Sequence, residues 1–279
     1  DYAETDDGEK RIKPKSIWMG SEFANETGTL EVKKLLSSGV FDTPKPIGLV
    51  KYIMEQALDI SSPEIVLDFF AGSATTAHAL LEFNIESKSK FRFITVQLPE
   101  LCDEKSAAFK AGYKTIAEIS KERIRQAAIK LGAENPDYQG DLGFKVFKLD
   151  STNIKPWELD FDLTEQDLED QISNIKHDRK EEDVLYEVLL KYGLDLTLPI
   201  TEHSVAGHKV FDIGMGALMI CLSDDITLDV VEGIATLKDE LKPEIMRVVF
   251  KDAGFADDVV KTNAVQILKQ AGIEDVRSL

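Results

Sequence analysis

The sequence predicts an α/β protein that ends in a small α+β domain, and three patterns support this prediction. Residues 65–70 form a short apolar run typical of a buried parallel strand, followed by a small-residue turn and a helical pattern. Residues 91–98 repeat the strand pattern and predict a second parallel strand. Beyond residue 193, a hairpin at Ala206-Gly207, further short strand patterns and two helical patterns predict the second domain.

Composition and charge limit the classes of protein that fit. With 279 residues and 43% hydrophobic content, the chain is long enough for one large or two ordinary domains. Its two cysteines, Cys102 and Cys221, make no disulfide framework. The sequence contains no signal-peptide pattern and no apolar run of membrane-spanning length, which predicts a soluble, cytoplasmic protein with no membrane partner.

The formal net charge of −18 opposes a broad nucleic-acid surface, because binding a duplex requires a basic patch. Any DNA groove is therefore expected to be local, or to lie on a part of the protein outside this sequence. The sequence begins with Asp1 rather than Met, from which we expect a fragment of a longer protein.

The turn after the first predicted strand has the features of a cofactor loop. Ala71, Gly72 and Ser73 are small enough for backbone to approach a ligand, and Thr75 and Thr76 are cap-type residues for the next helix. A helix start also offers free N–H groups. The turn is neither a Gly-x-Gly-x-x-Gly fingerprint nor a Walker loop, so phosphate binding is a poor interpretation.

The string Asp-Phe-Phe-Ala-Gly-Ser-Ala-Thr-Thr at residues 68–76 resembles motif I of the amino-methyltransferases that act on DNA. In that family the Phe-x-Gly-x-Gly turn wraps the methionine part of S-adenosylmethionine. The resemblance implies this cofactor and a partial Rossmann-like methyltransferase fold. The second glycine of the pattern is Ala74 here, which either crowds the cofactor or shifts the turn. The residues that the resemblance assigns to the cofactor are Asp68, Phe70, Ala71, Gly72, Ser73 and Thr75.

Asp68 leaves two interpretations open. It ends the first predicted strand, where its carboxylate could contact the amino group of the cofactor or brace the loop.

Residues 41–54 precede this turn and form a second characteristic segment. Pro44 and Pro46 fix an extended approach, and the apolar spacing of residues 47–58 predicts an amphipathic helix. By order and spacing the segment resembles motif X of the same methyltransferases, in which a Lys-Pro pair lines the methionine end of the cofactor. The resemblance assigns this role to Thr43, Lys45 and Pro46.

The end of the second predicted strand is where a doubly wound fold usually places an acid against the ribose hydroxyls. Here the position holds Gln97, with Glu100 three residues later. Glutamine can accept a hydrogen bond but has no charge for a bidentate ribose contact. The Gln-Leu-Pro-Glu string is similar to one in type III modification subunits, which implies that Gln97 lies near the ribose.

The remaining patterns of the first part predict a loop over residues 1–14, helices over residues 30–36 and 115–131, and a strand over residues 143–149. On the helix of residues 115–131, the apolar face is formed by Ile116, Ile119, Ile124, Ala128 and Leu131. We interpret Glu122, Arg123 and Arg125 as a solvated face of this helix.

Residues 135–138, Asn-Pro-Asp-Tyr, are close to the catalytic Asp/Asn-Pro-Pro-Tyr string of amino-methyltransferases, but we interpret them as a turn. The third residue is Asp, and no apolar strand precedes the string. No Asp/Asn-Pro-Pro-Tyr string occurs in the sequence, so no catalytic residue is assigned. We expect the chain to be the carboxyl-terminal part of a type III modification subunit whose catalytic half lies upstream.

Three domains are predicted: a cofactor-binding part (residues 1–154), an acidic linker and helix (155–192) and an α+β domain (193–279). The linker helix is predicted over residues 164–190. His203, His208 and Cys221 lack zinc-site spacing, so no metal site is predicted. The resemblance implies that the last domain associates with a second modification subunit or with the restriction subunit.

Two functions fit these observations. The first is the cofactor-binding part of a DNA adenine-N6 methyltransferase of a type III restriction-modification system, inactive alone, with DNA bound mainly by the absent half. The alternative is a non-catalytic subunit-assembly module whose cofactor pocket is degenerate at Ala74 and Gln97. A nicotinamide oxidoreductase is disfavoured by the missing glycines. An unpaired edge beside the first strand predicts either a homodimer or a shortened sheet.

Overall fold

The computed structural model describes residues 2–4, 10–12, 16–36, 39–62, 64–155 and 175–279. The chain divides into two compact units, Asp1–Phe144 and Lys145–Leu279. Both units combine helices and strands, so the α/β prediction is confirmed. The predicted boundary after residue 154 lies further along the chain than this division. In the part that the structure describes, no helix is both long and apolar enough to cross a membrane.

The first unit contains two short strand pairs and a set of helices. Its elements are β1 (Tyr2–Glu4), β2 (Lys10–Ile12), α1 (Asn25–Leu36), α2 (Ile47–Ala57), β3 (Ile65–Asp68), α3 (Thr75–Ser87), β4 (Arg92–Thr95), α4 (Ala107–Lys110) and α5 (Ile116–Glu134). The second predicted strand is confirmed, because β3 and β4 pair in parallel with Val66 opposite Phe93.

One face of the β3–β4 sheet is covered by helices and the other is exposed. Val66 and Phe93 pack against the buried side chains of α2 and α3. On the opposite face, Ile65, Leu67 and Ile94 are each about half exposed, at 49%, 58% and 51%. The prediction of a fully buried strand is therefore wrong, since burial alternates along both strands.

Two other predictions for the first unit are wrong. Within residues 1–14, which were expected to form a loop, β1 and β2 pair in an antiparallel ladder. Residues 143–149 form no strand. Instead, Leu142 and Phe144 pack against a core cluster made by α3 and α5, so these apolar side chains serve helix packing rather than strand pairing.

The second unit is built on a five-stranded mixed sheet. Its elements are α6 (Glu181–Lys191), β5 (Ile200–Val205), β6 (His208–Ile213), β7 (Leu218–Cys221), α7 (Leu228–Leu241), β8 (Arg247–Phe250), α8 (Asp258–Gln270) and β9 (Asp275–Ser278). The strand order is β5-β6-β7-β8-β9. The first three strands run antiparallel, and β8 and β9 then add in parallel through the crossover helices α7 and α8.

Helices cover both faces of this sheet. The buried side chains of α7 and α8 form one core cluster with the strands. Those of α6, namely Val184, Leu185, Val188 and Leu189, form a second cluster on the other face. The predicted hairpin, strands and helices of this part are present, whereas the polar edge strand β9 was not predicted.

The helix that was predicted as a connection differs from the one in the structure. Residues 156–174 lie outside the described residues, and residues 175–180 are not helical. Helix α6 begins at Glu181 and places Leu185 and Leu189 in the sheet core, at 1% and 0% exposure. The described end of the predicted linker is therefore part of the packed second unit.

This packing gives a testable prediction at Leu189. Leu189→Ala removes a fully buried side chain from the cluster beneath the sheet, and we expect it to lower the free energy of unfolding by about 2–5 kcal/mol. The matched control is the next residue, Leu190, which is 63% exposed. Leu190→Ala is expected to change stability by less than about 0.5 kcal/mol. Urea unfolding followed by circular dichroism measures both, and equal effects would contradict the packing of α6.

Candidate cofactor site

The turn after β3 is centred on Gly72, which has a positive φ of +53°. Its N–H donates to Oε1 of Gln97 at 2.7 Å, and its carbonyl accepts a hydrogen bond from the Ser120 hydroxyl. A Cβ at this position would lie 3.4 Å from the ring of Phe41. The conformation and the surrounding groups both favour glycine here.

Asp68 holds the turn from the end of β3. Its Oδ1 accepts from the Phe70 N–H at 3.1 Å, and its Oδ2 accepts from the Thr76 hydroxyl at 2.5 Å. Both carboxylate oxygens therefore bond within the loop, which matches the bracing interpretation of this residue.

Ala74, in the place of the family's second glycine, adopts a left-handed conformation with φ of 59°. Its methyl group is fully buried in the cluster that also contains Ala77, Leu81 and Ile124. Because the methyl group lies in this core, it does not point to the open side of the turn. Ala74 is also the N-cap of α3, which corrects the interpretation of Thr75 and Thr76 as caps; no side chain caps this helix.

The segment before α2 contacts the turn directly. The Thr75 hydroxyl donates to the Lys45 carbonyl at 3.1 Å, and the Ile47 N–H donates to Oε2 of Glu31 at 2.9 Å. On the α1 side, a Cβ added to Gly28 would lie only 2.8 Å from the carbonyl carbon of Lys45. The segment is therefore held between α1 and the first turn of α3, which brings the two predicted cofactor segments together.

The predicted site residues differ in exposure. Thr43, Lys45 and Phe70 are exposed, and the Phe70 side chain is 78% exposed beside the ring of Phe69. Gly72, Asp68 and Gln97 are of intermediate exposure. The remaining members are buried and form the frame of the turn rather than its surface: Pro46, Ala71, Ser73 and Thr75.

Arg123 is the residue of this region that the sequence interpretation missed. It was interpreted as part of a solvated face, but it is 0% exposed, and that interpretation is wrong. Its Nη1 donates to the Ser73 hydroxyl at 2.8 Å and to the Thr75 hydroxyl at 2.7 Å. A signal was present: Arg123 lies four residues after Ile119 and four before Ala127, both of which are buried in α5.

The position of Arg123 depends on the start of α5. Thr115 and Glu118 form a capping box. The Thr115 hydroxyl accepts a hydrogen bond from the Glu118 N–H at 3.3 Å, and the Glu118 carboxylate accepts one from the Thr115 N–H. The capped helix presents Ser120 and Arg123, one turn apart, to the backbone and side chains of the turn.

Charge around Arg123 is partly balanced. Burial lowers the pKa of the Arg123 guanidinium to about 10, although the carboxylates of Glu31 and Glu82 oppose this effect. Burial likewise raises the pKa of Glu31, against the Ile47 hydrogen bond and the charge of Arg123. The His78 ring lies between these groups, with Nδ1 3.5 Å from Arg123 Nε and Nε2 3.3 Å from Glu82 Oε1.

The Asn-Pro-Asp-Tyr string follows the end of α5. Asn135 ends the helix, and its side-chain amide donates to the Leu131 carbonyl at 3.0 Å. The Tyr138 N–H donates to the Asn135 carbonyl at 3.0 Å, which makes the segment a turn. Among the described residues, no group of three or more His, Cys, Asp or Glu side chains could hold a metal ion.

Comparison with known proteins finds similarity over the part of the chain that contains this site. Residues 2–130 match the DNA methylase family N6_N4_Mtase, and this stretch includes both cofactor segments and most of α5. Over those residues the chain is therefore similar to DNA methylases.

More specific similarity is to the Mod subunits of type III restriction-modification enzymes. The StyLTI Mod subunit of Salmonella typhimurium is 42% identical over 136 residues, which cover 49% of this chain and 21% of that protein. The EcoPI Mod subunit of Escherichia phage P1 is 38% identical over 134 residues, 48% of this chain and 20% of that protein. The EcoP15I Mod subunit of Escherichia coli is 35% identical over 183 residues, 65% of this chain and 27% of that protein.

These comparisons confirm the resemblance to type III modification subunits over the aligned residues. The aligned part of the chain spans about a fifth to a quarter of the length of these relatives, between 20% and 27%.

Two helical glycines give opposite predictions for substitution by alanine. In Gly28→Ala, the new methyl group meets the backbone of Lys45 and Pro46 at 2.8 and 2.9 Å, and we expect a loss of about 1–3 kcal/mol. In Gly132→Ala, on α5, the new methyl group makes an ordinary 3.5 Å contact with Leu142. Because alanine has a higher helix propensity than glycine, Gly132→Ala is expected to raise the free energy of unfolding by at most about 1 kcal/mol. Urea unfolding measures both, and stabilisation by Gly28→Ala would contradict the close approach.

Proposed function

We propose that the first unit supplies the S-adenosylmethionine pocket of a DNA adenine-N6 methyltransferase of a type III restriction-modification system. The observation that carries this proposal is the hydrogen bond from Thr75 to the Lys45 carbonyl, which brings the motif I turn and the motif X segment together. The match to the DNA methylase family covers both segments, and supports their assignment to one cofactor site in a partial Rossmann-like fold.

The residues of the site suit this cofactor. Thr43, Lys45 and Phe70 expose their side chains, and we assign to them the contacts with the methionine part. Gly72 allows close approach of the ligand to backbone because it has no side chain. The buried members of the set act as the frame: Pro46, Ala71, Ser73 and Thr75.

Asp68 and Gln97 have a double role in this proposal. Each holds the turn through one hydrogen bond to its backbone, from the Phe70 and Gly72 amides respectively. The Gln97 Nε2 donates to the Leu98 carbonyl at 3.2 Å, a contact that a ribose hydroxyl can replace. The Asp68 carboxylate, at the carboxyl end of β3, lies where doubly wound folds bind their ligands.

When bound, S-adenosylmethionine supplies the methyl group that the exocyclic amine of a flipped adenine accepts in line. The residues of this chain bind and orient the donor. None of them is assigned a contact with the target amine, because the sequence contains no Asp/Asn-Pro-Pro-Tyr string. The proposal therefore assigns methyl transfer to the whole enzyme and cofactor binding to this chain.

DNA and the restriction subunit are the proposed partners, by relation to the Mod subunits. The net charge of −18 favours DNA contacts that lie mainly outside this chain. The second unit is proposed to serve subunit association, with a second copy of the chain or with the restriction subunit. Its sheet leaves β5 and β9 at the edges, and edge strands are common sites of pairing between chains.

The alternative function is an assembly module that does not bind the cofactor. One observation favours it: Gln97 directs its amide oxygen to the Gly72 N–H, so one of the two lone pairs of this acceptor is already used. Cofactor affinity distinguishes the two functions, because the assembly module retains association without saturable binding.

Calorimetric titration of S-adenosylmethionine into the purified chain tests the proposal. We expect saturable binding to the chain and no methyl transfer to DNA by the chain alone. Gly72→Asp is expected to abolish binding, since it places a charged side chain at the turn beside Phe41. The matched control is Gly112→Asp: Gly112 also has a positive φ, of +98°, but a Cβ there meets no atom within 4 Å.

Both aspartate variants are expected to lose about 1–2 kcal/mol of stability from the strained backbone, so only the loss of binding separates them. A folded chain that binds no cofactor would contradict the proposal and favour the assembly module. Methylation of DNA by the chain alone would contradict the assignment of the reaction to residues outside it.

A further inference from the structure

Arg123 lies behind the cofactor turn and contacts two of its buried residues, Ser73 and Thr75. Its guanidinium is fully buried and donates through Nη1 to the hydroxyls of Ser73 and Thr75, at 2.8 and 2.7 Å. We propose that Arg123 is a positioning residue, which couples the motif I turn to the motif X segment through the Thr75 hydroxyl. This inference rests on the proposed function only for its consequence on cofactor affinity.

The direction of the hydrogen bonds supports the coupling. An arginine can only donate, whereas a threonine hydroxyl has one hydrogen to donate and two lone pairs that accept. When the Thr75 hydroxyl accepts from Arg123, its own hydrogen is left to donate to the Lys45 carbonyl, 3.1 Å away. Arg123 thereby fixes the orientation of the hydroxyl that joins the two segments.

An electrostatic interaction also relates Arg123 to the same segment. Glu31 interacts electrostatically with Arg123, and its carboxylate accepts the hydrogen bond of the Ile47 N–H at 2.9 Å. The backbone of residues 45–47 is therefore held on one side by Thr75 and on the other by Glu31. Arg123 contacts the first of these groups, the Thr75 hydroxyl, directly.

Stability alone is a poor reason for a guanidinium at this place. A buried charge loses its hydration, and a well-packed apolar side chain of similar volume is often as stable or more stable. The Nη2 atom of Arg123 is buried and has no hydrogen-bond partner among the described residues. Arg123 therefore has an incomplete set of partners, and its two shortest hydrogen bonds, at 2.7 and 2.8 Å, both go to the cofactor turn.

The turn receives a further bond from the same helix. Ser120, one turn before Arg123 on α5, donates its hydroxyl to the Gly72 carbonyl. Helix α5 therefore fixes the main chain of the turn through Ser120. Through Arg123, the same helix orients the Thr75 hydroxyl that links the turn to the motif X segment.

The test compares Arg123→Met and Arg123→Lys with Arg125→Met in the full chain. Arg125 lies on the same helix, with its side chain 51% exposed and 3.2 Å from Glu122, and serves as the matched control. Amide hydrogen exchange is measured without ligand over residues 41–49 and over 116–134. Cofactor affinity is measured by calorimetry on the same proteins.

We expect Arg123→Met to remain folded and to show a cooperative unfolding transition. Amide exchange over residues 41–49 is expected to be about tenfold faster than in the wild type, and exchange over 116–134 is expected to be unchanged. Cofactor affinity is expected to fall by about tenfold or more. Arg123→Lys, which keeps a charge and a donor but not the fork, is expected to fall between the wild type and Arg123→Met. Arg125→Met is expected to match the wild type in both measurements.

A double-mutant cycle with Thr75→Val separates positioning from general support of the fold. If Arg123 acts through the Thr75 hydroxyl, the double variant is no worse in exchange or affinity than Thr75→Val alone. If Arg123→Met does not fold, the same double-mutant cycle is measured with Arg123→Lys in its place, again combined with Thr75→Val. Additive effects, or exchange over residues 41–49 equal to that of Arg125→Met, would overturn the inference.

The two proposals fail in different ways. If the wild-type chain binds no cofactor while Arg123→Met still accelerates amide exchange over residues 41–49, the proposed function is wrong and the coupling stands. If the wild type binds and Arg123→Met binds equally well without faster exchange, the proposed function stands and the coupling is wrong.

Discussion

The turn at Gly72 depends on hydrogen bonds from parts of the chain that are distant in sequence. Gln97, two residues after β4, accepts from the Gly72 amide, and Ser120, on α5, donates to the Gly72 carbonyl. The positive φ of Gly72 lets one residue offer both groups in these directions. Because one partner follows a strand and the other lies on a helix, and both elements pack on α3, the shape of the turn depends on the packing of the whole first unit.

The two units differ in what their sheets contribute. In the second unit, a five-stranded sheet is covered by helices on both faces, and its central strands are almost fully buried. In the first unit, β3 and β4 form a two-stranded sheet with one exposed face, which is only marginally stable by itself. The first unit is therefore held mainly by α2, α3 and α5, the same helices that position the cofactor segments.

Local patterns predicted the elements of the site but not which of their faces are buried or what they pack against. The strand, the turn and the segment of residues 41–54 were recognisable because small residues, prolines and apolar spacing act over short distances. The apolar run of residues 65–70 could not reveal its exposed face, since a run buried on one side and a run buried on both contain similar residues. The strand predicted at residues 143–149 failed because Phe144 packs on a helix instead of joining a ladder.

Arg123 shows most clearly what the sequence hides. A charged residue on an amphipathic helix is usually solvated, and the hydrogen-bond partners that make its burial possible lie 48 and 50 residues earlier. Edge strand β9 was missed for a related reason, because Asp-Val-Arg-Ser has no apolar alternation, and its parallel pairing with β8 is determined by tertiary structure.

The central claim is that one cofactor site is formed by the turn after β3 and the segment before α2. Ultraviolet cross-linking of radiolabelled S-adenosylmethionine to the purified chain, followed by peptide mapping, tests this most directly. We expect the label on peptides that contain Phe70 or residues 41–46, and its loss when unlabelled cofactor competes. Label confined to residues 145–279, or label on the first unit that unlabelled cofactor does not displace, would contradict the account.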